Sequence, residues 1–419
     1  MDFVTSFRLS APYIHAYRGK TTVLWLRSKV LDQARLAAIV SDMALLNSLG
    51  LRLVVLFDAH QEQSNPSPNV QIDPDEMRNI TAEIGQRRYT MEAMFSQGLT
   101  NSPMHGANVK VVSGNFISAR PAGVVDGIDL MAQGRVRRIN HLAIREHLDN
   151  QTLVLIPPIG YSITGDVLFL SPESLVVDVA QQLNADKVVI VGDNTHDLTD
   201  GQKEISIEAL EEATSKLDPN SRGVLELQVA LKASQAGIPR CHLIDGNEDG
   251  AILSELFTRD GVGTLIARDH YDTFRKARIT DVSGISALLK PLEDKQILIK
   301  RDQEKIESDI EHYLVNERDG MIIGCAAFFP LSDNIAEVAS IAVHPDYQKG
   351  GRGDALLKAA EREARKAKIA QIFVLTTQTE HWFLERGFRS ATVAELPENK
   401  QRLYNIQRNS KVYLKSLTS

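Results

Sequence analysis

"IAEVASIAVHPDYQKGGRGDALLKAAEREARKAK", residues 335–368, changes character twice in thirty-four residues, and the order of the changes decides the fold. It opens as a strand. Alternation along it puts Glu337, Ala339, Ile341 and Val343 on one face and Val338, Ser340 and Ala342 on the other. His344-Pro345 ends the strand, Gly350, Gly351 and Gly353 make a bare loop, and helical spacing begins at Leu356, with Ala360, Ala364 and Ala367 on roughly one face. Such a loop aims successive backbone N–H groups outward at the positive end of a helix dipole. Glycine then lets a phosphate approach without a Cβ in the way. A diphosphate fits this description, and so does a turn that is glycine-rich only because it needs positive φ. The loop alone does not choose. The basic run "KAAEREARKAK" reads as the solvated face of the helix.

The rest of the chain narrows the choice. Its 419 residues, 43% hydrophobic, are enough for two domains with ample core. A formal charge of −7, without a basic block, argues against a nucleic-acid partner. Cys241 and Cys325 stand far apart with no CxxC pair, so neither a disulfide framework nor a cysteine zinc site is expected, and the eleven histidines form no metal-binding cluster. No apolar run reaches membrane-spanning length and the N-terminus does not read as a targeting segment. The expectation is a cytoplasmic protein with no metal, no nucleic acid and no membrane.

From Thr21 to about Asp269, apolar runs such as "TTVLWL", "LRLVVLF", "KVVIVGD" and "CHLIDG" alternate with amphipathic stretches such as "ARLAAIVSDMALLNSLG" and "PESLVVDVAQQLNA". That pattern predicts a mostly parallel sheet with helices on both faces. Beyond it the order changes to helix, helix, strand, strand, helix, strand, helix, strand. "GMIIGCAAFFP" and "IAEVASIAVHP" read as adjacent antiparallel strands, and "DALLKAAEREARKAK" as the crossover into "QIFVLTT". The expected boundary is near Phe274, giving domains 1–274 and 275–419.

Gln348-x-x-Gly351-x-Gly353, directly after a strand and before a helix, resembles the acyl-CoA signature of the GCN5-related N-acetyltransferase (GNAT) superfamily. "WFLERGF", residues 382–388, resembles that superfamily's later short helix ending at Gly-Phe. The resemblance implies an α+β acetyltransferase domain. It places acetyl-CoA against Ile341 and Val343 of the strand and Gln348, Lys349, Gly350, Gly351, Arg352 and Gly353 of the loop.

The likeness extends to the whole chain. "SAPYIHAYRGKTTVLWL", "VVSGNFISARPAGVVDGIDLMAQGRVRRIN" and "ELFTRDGVGT", ahead of an acetyltransferase domain, are similar to the bacterial N-acetylglutamate synthases. In that family an amino-acid-kinase-like three-layer αβα sandwich precedes the GNAT domain. The implied reaction is acetyl-CoA plus L-glutamate giving N-acetyl-L-glutamate and CoA, the opening step of arginine biosynthesis, in a homo-oligomer that is a hexamer in some relatives. By the same resemblance Glu337 is the general base and Thr376 the hydroxyl that protonates the departing thiolate, with Tyr404 a rival. Arg408 and Ser410 of "QRNSKVYL" contact the substrate, with Lys300 and Lys400 as further cations. Chemically, an amino-acid acetylation needs a base for the ammonium and cations for carboxylates. Lysine there gives up the two-pronged fit of arginine.

Two features concern the first domain. Amino-acid kinases run from the first strand into Lys-x-Gly-Gly, which handles ATP phosphates; here Trp25 stands at the lysine position and Arg27 and Ser28 replace the glycines, so no phosphoryl transfer is expected. Arginine-sensitive relatives place an inhibitor pocket where Tyr13, His242, Glu255 and Gly261 fall, which implies L-arginine as an effector. Two other readings stay open: an arginine-binding regulator with an inactive acetyltransferase domain, and an acetyltransferase for a different amino acid.

Overall fold

The computed structural model describes residues 3–59, 71–97, 109–192, 202–217, 223–258, 261–267, 273–318, 321–331, 334–348, 351–403 and 410–417. The chain divides into two compact units, Met1–Asp269 and His270–Ser419, and each is described by itself.

The first unit opens with helix α1 (Phe3–Tyr17), then β1 (Thr21–Leu26), α2 (Gln33–Ser48), β2 (Arg52–Phe57) and α3 (Pro74–Ser96). Asp32 and Asp73 cap α2 and α3 by accepting from backbone N–H groups, and Pro74 stands where a helix loses nothing by lacking a donor. There follow β3 (Val111–Val112), β4 (Ile117–Pro121), β5 (Val124–Val125), β6 (Ile128–Asp129), β7 (Gly134–Ile139), α4 (His141–Asp149), β8 (Leu153–Ile156), β9 (Ile159–Tyr161) and β10 (Val167–Phe169). The unit closes with α5 (Pro172–Leu183), β11 (Lys187–Gly192), β12 (Glu204–Ser206), α6 (Ile207–Lys216), α7 (Val224–Gln235), β13 (Arg240–Asp245), α8 (Ala251–Phe257) and β14 (Thr264–Ala267).

Eight strands form one sheet in the order β12-β14-β13-β11-β1-β2-β8-β3, parallel except between β13 and β14. Alternation in β1 shows how both faces are covered. Leu24 and Leu26 join a core built with Tyr17, Leu36, Ile80 and Ile252, while Val23 and Trp25 join the opposite one with Ile144, Leu175, Val176 and Leu227. This is the expected αβα sandwich. A second, four-stranded sheet, β10-β9-β4-β7, escapes the sequence reading because its strands are short and half exposed.

The second unit contains β15 (Thr273–Lys276), α9 (Val282–Asp294), α10 (Gln303–Ser308), β16 (Tyr313–Arg318), β17 (Met321–Pro330), β18 (Ile335–Val343), α11 (Arg352–Lys366), β19 (Gln371–Thr376), α12 (Glu380–Leu384), β20 (Arg389–Ala391), α13 (Glu398–Leu403) and β21 (Lys411–Ser416). Phe274 lies inside β15, which pairs with β16. The seven-stranded sheet runs β15-β16-β17-β18-β19-β21-β20 and is antiparallel except where β18 meets β19. Helix α11 covers one face through Leu357, Ala360 and Ala364; α9 and α10 cover the other through Ile285, Leu288, Leu289 and Ile306. The strand "YLVNER" is missing from the sequence reading, since only its first half is apolar.

Two departures from regularity shape the middle of this sheet. β18 and β19 pair only at Ile335↔Gln371, Ala336↔Ile372 and Glu337↔Phe373, and beyond that point they part. Within β18, Ala339 pairs with Ala327 and Ala342 with Cys325, so Ser340 and Ile341 together oppose Ala326. Ser340 carries the turn of this bulge at φ 51°. The simple alternation expected from the sequence is therefore broken: Ala342 returns to the face of Ala339, and Ile341 packs with Val338 on the α11 side.

Candidate active site

Glu337 is the last residue of β18 paired to β19 before the two strands separate. Phe329 lies directly across from it on β17 and Phe373 on β19, so its carboxylate stands between two phenylalanines and is only 8% exposed. A carboxylate so placed requires a partner. Lys400 of α13 supplies it, with its ammonium in ion-pair contact with Oε2. The structure thus joins two of the residues that the sequence singled out.

Lys300 is exposed. Its neighbour Arg301 is the one that turns inward. Arg301 Nη1 donates to the Tyr313 hydroxyl at 2.8 Å, and its guanidinium lies 5.4 Å from the ring centroid of Phe329, on the face that Glu337 shares. The segment carrying both residues has neither helical nor strand periodicity, so nothing in its pattern tells which of the two faces in. Arg301 is a half-buried cation beside this face that the sequence reading did not name.

The loop begins with a turn at Pro345–Tyr347, Tyr347 being buried. Gln348 Nε2 reaches back toward the Val343 carbonyl at 3.5 Å. Gly351 caps α11 at φ 72°, a backbone state that favours glycine, and the helix starts at Arg352, four residues earlier than its apolar spacing indicates. Apolar periodicity reports only the turns that face the core, and the first turn of α11 faces the loop. Gly353 accordingly lies in that turn, where an added Cβ would meet Trp382 Cζ2 at 3.3 Å. The two motifs therefore lie side by side, the indole of "WFLERGF" packing against the first turn of α11. Lys349 and Gly350 lie outside the described residues.

Thr376 ends β19 in register with Lys411. Its hydroxyl accepts from the Thr379 N–H at 3.1 Å and shares a hydrogen bond with the Thr379 hydroxyl at 2.8 Å. Strand alternation gives it the face of Ile372 and Val374, not that of Phe373 and Glu337. Ser410 is buried immediately before β21. Arg408 and Tyr404 lie outside the described residues.

A buried carboxylate beside a split between strands is suited to moving a proton off an amine. Comparison with known proteins bears on the reaction class. A model of the acetyltransferase (GNAT) family matches residues 282–388, and one of the amino acid kinase family matches residues 21–243. The chain is 41% identical over 432 residues to the amino-acid acetyltransferase of Azotobacter vinelandii, covering 99% of this chain and 100% of the relative. The chain belongs to the amino-acid acetyltransferase family. The Escherichia coli K12 amino-acid acetyltransferase is 39% identical, with 99% of this chain and 98% of that one covered. Among solved structures, N-acetylglutamate synthase from Neisseria gonorrhoeae complexed with coenzyme A and L-arginine covers both chains fully at 31% identity and TM-score 0.83. The same enzyme with coenzyme A and N-acetyl-glutamate gives 32% and 0.59.

In this amino-acid acetyltransferase the segment that the sequence reading compares with a kinase phosphate loop carries a buried side-chain network. Trp25 Nε1 donates to Asp58 Oδ1 at 2.8 Å; Arg27 Nη1 and the Ser28 N–H donate to Asp58 Oδ2 at 2.7 and 3.0 Å. Arg27 Nε donates to Glu226 Oε1 of α7 at 2.8 Å, and the guanidinium lies 4.6 Å from the Trp25 ring centroid. Burial works against the charge on Arg27, but Asp58 and Glu226 outweigh it and its pKa is raised.

Three of the four residues assigned to an effector meet around one carboxylate. Glu255 of α8 takes His242 Nδ1 on Oε1 at 2.6 Å and the N–H groups of Val262 and Gly263 on Oε2 at 2.8 and 2.7 Å. Gly261 sits at φ 57°, and a Cβ there would lie 2.3 Å from Glu255 Oε2. Burial alone would raise the pKa of Glu255, yet its three donors win and hold it at about 2. His242 is pushed down by burial and its Nε2 has no hydrogen-bond partner among the described residues, which fits a neutral ring donating from Nδ1. Tyr13 is one ring removed, 6.2 Å from Tyr17, which in turn stacks 6.4 Å from Phe257 of α8. Lys187, buried with its ammonium 3.1 Å from the Tyr17 centroid, belongs to this region too. Its only sequence signal is a lysine opening a fully apolar strand. Among the described residues no group of three His, Cys, Asp or Glu could hold a metal ion, and no helix is long and apolar enough to cross a membrane.

Proposed function

We propose that this enzyme transfers the acetyl group of acetyl-CoA to the α-amino group of L-glutamate, giving N-acetyl-L-glutamate and CoA, and that L-arginine inhibits it through the first unit. The observation that carries the reading is Glu337, a buried carboxylate at the point where β18 and β19 part. Glu337 takes one proton from the substrate ammonium, directly or through a water. The free amine attacks the thioester carbonyl, a C–N bond forms, and the C–S bond breaks as the tetrahedral intermediate collapses. The second amine proton goes to the departing thiolate through Thr376, and the first leaves to solvent from Glu337.

Arg301, Lys400, Arg408 and Ser410 receive the two substrate carboxylates. A planar guanidinium on Tyr313 and Phe329 is better prepared for this than the exposed ammonium of Lys300. Binding of the substrate then competes with Glu337 for Lys400, which links occupancy of the site to release of the base. The diphosphate of acetyl-CoA lies on the amides from Gln348 to Gly353, with Ile341 and Val343 along the pantetheine arm. The arginine complex and the N-acetyl-glutamate complex of the Neisseria gonorrhoeae synthase support both the substrate and the effector. The reading includes a homo-oligomer, and the Arg27 network supports a first unit that transfers no phosphate.

The test is thiol release from acetyl-CoA by the purified full chain, with L-glutamate set against aspartate, glutamine, lysine and ornithine, each with and without arginine. Release that depends on glutamate and falls with arginine is expected. Release with another amino acid in preference would overturn the substrate, and an unchanged rate in arginine would overturn the effector.

A further inference from the structure

The first turn of α11 holds an electrostatic conflict. A helix N-terminus favours an anion, and α11 offers it two: Asp354, on the turn itself, and the diphosphate that the proposed reading lays on the preceding amides. Two anions within one helical turn repel each other, and this weakens whichever is free to leave.

Arg386 answers the conflict from the neighbouring motif. Its Nε and Nη2 donate to the two oxygens of Asp354 in a two-pronged pair, the second at 3.1 Å. Its Nη1 donates to the Trp382 carbonyl at 2.8 Å, and the guanidinium lies 4.2 Å from the Trp382 ring centroid. The same indole is the one that would meet a Cβ on Gly353. Glu385 also accepts from Arg386, at 3.2 Å, and Lys358 lies close enough to Asp354 to act on its charge.

We propose that Arg386 is a positioning residue for coenzyme A: it cancels the Asp354 carboxylate, which would otherwise repel the diphosphate. The inference rests on the reading that places the diphosphate at residues 348–353. Its signature is a reversal that a packing role does not produce. Removing Arg386 exposes the carboxylate and harms CoA binding; removing the carboxylate as well restores it.

The measurement is the dissociation constant of CoA alone, by calorimetry on the full chain, so the identity of the amine acceptor does not enter. R386Q should weaken CoA about tenfold at low salt, and less in 0.5 M salt because screening shortens the repulsion to about 4–5 Å. D354N should bind CoA at least as tightly as the unaltered chain, and D354N/R386Q should return to within about twofold of it, since only the uncompensated charge is at issue. A double variant as weak as R386Q, or a D354N as weak as R386Q, would overturn the proposal. If R386Q does not fold by circular dichroism, D354N decides alone: binding that is equal or tighter supports the proposal, and weaker binding overturns it. G353V separates the two layers of the argument. If it weakens CoA while R386Q does not, Arg386 has no such role and the loop assignment stands; if neither changes binding, both fall.

Discussion

The ammonium of Lys400 on α13 rests against the carboxylate of Glu337 on β18, sixty-three residues away and almost out of solvent. Glu337 is thus held in a buried ion pair whose cation comes from the same segment that leads to Arg408 and Ser410. Removing the cation leaves a buried charge without its partner. K400M should lower kcat/KM for glutamate at least tenfold and destabilise the unit by about 1–3 kcal/mol in urea unfolding. Equal kinetics and equal stability would show that the pair has no part in catalysis.

Arg301, not Lys300, is turned toward the Glu337 face. R301Q should raise KM for glutamate by about tenfold or more, the loss of a charge-assisted hydrogen bond, with a far smaller change in KM for acetyl-CoA. K300Q should have the lesser effect of the two. Initial rates over a glutamate series for both variants check the order, and the reverse order would restore the sequence-based assignment.

The Arg27 network makes a prediction about stability. Arg27 serves Asp58 and Glu226 at once, and Asp58 is fully buried. R27M removes the guanidinium that two buried carboxylates share and should cost about 3–5 kcal/mol. The chain has two tryptophans, Trp25 in the first unit and Trp382 in the second, so unfolding of the first unit can be followed by fluorescence in a W382F background. A loss under about 1 kcal/mol, the level of an exposed pair, would show that the network is dispensable.

Glu255 gives the first unit a defined acid response. Its pKa in the folded chain, about 2, lies below the unfolded value near 4.5. The stability it contributes is therefore complete above pH 4.5 and is lost as the pH falls toward 2. The gap in melting temperature between the unaltered chain and E255Q should be full at pH 7 and should narrow across that window. E255Q should also respond less to arginine. A gap independent of pH would contradict the ionised state assigned to Glu255.

The sequence and the structure agree where local pattern governs. The strand, bare loop and helix around Gly351 could be read because each needs a different residue type, and the replacement of the kinase lysine by Trp25 and of its glycines by Arg27 and Ser28 is visible in the sequence. The network around Arg27 could not be read. Arg27 finds Asp58 thirty-one residues on and Glu226 a further 168 beyond that, and no local rule connects them. The bulge at Ser340 was hidden for a different reason, since serine gives no warning of φ 51°. It turned Ile341 away from the face that alternation assigns to it. Gly261 is the opposite case: it was singled out by resemblance, and its physical reason, the space taken by Glu255, emerges only from the fold.

The central claim is that Glu337 removes the proton from the amino group of L-glutamate, and the direct measurement is glutamate-dependent thiol release from acetyl-CoA by the unaltered chain and by E337Q, with CoA affinity measured on both. The account predicts release that requires glutamate in the unaltered chain, a rate lower by about 10²–10⁴-fold in E337Q, and CoA affinity that is nearly the same in the two. An E337Q rate within about tenfold of the unaltered chain, below the range for a general base, or no glutamate-dependent release from a chain that binds CoA, would contradict it.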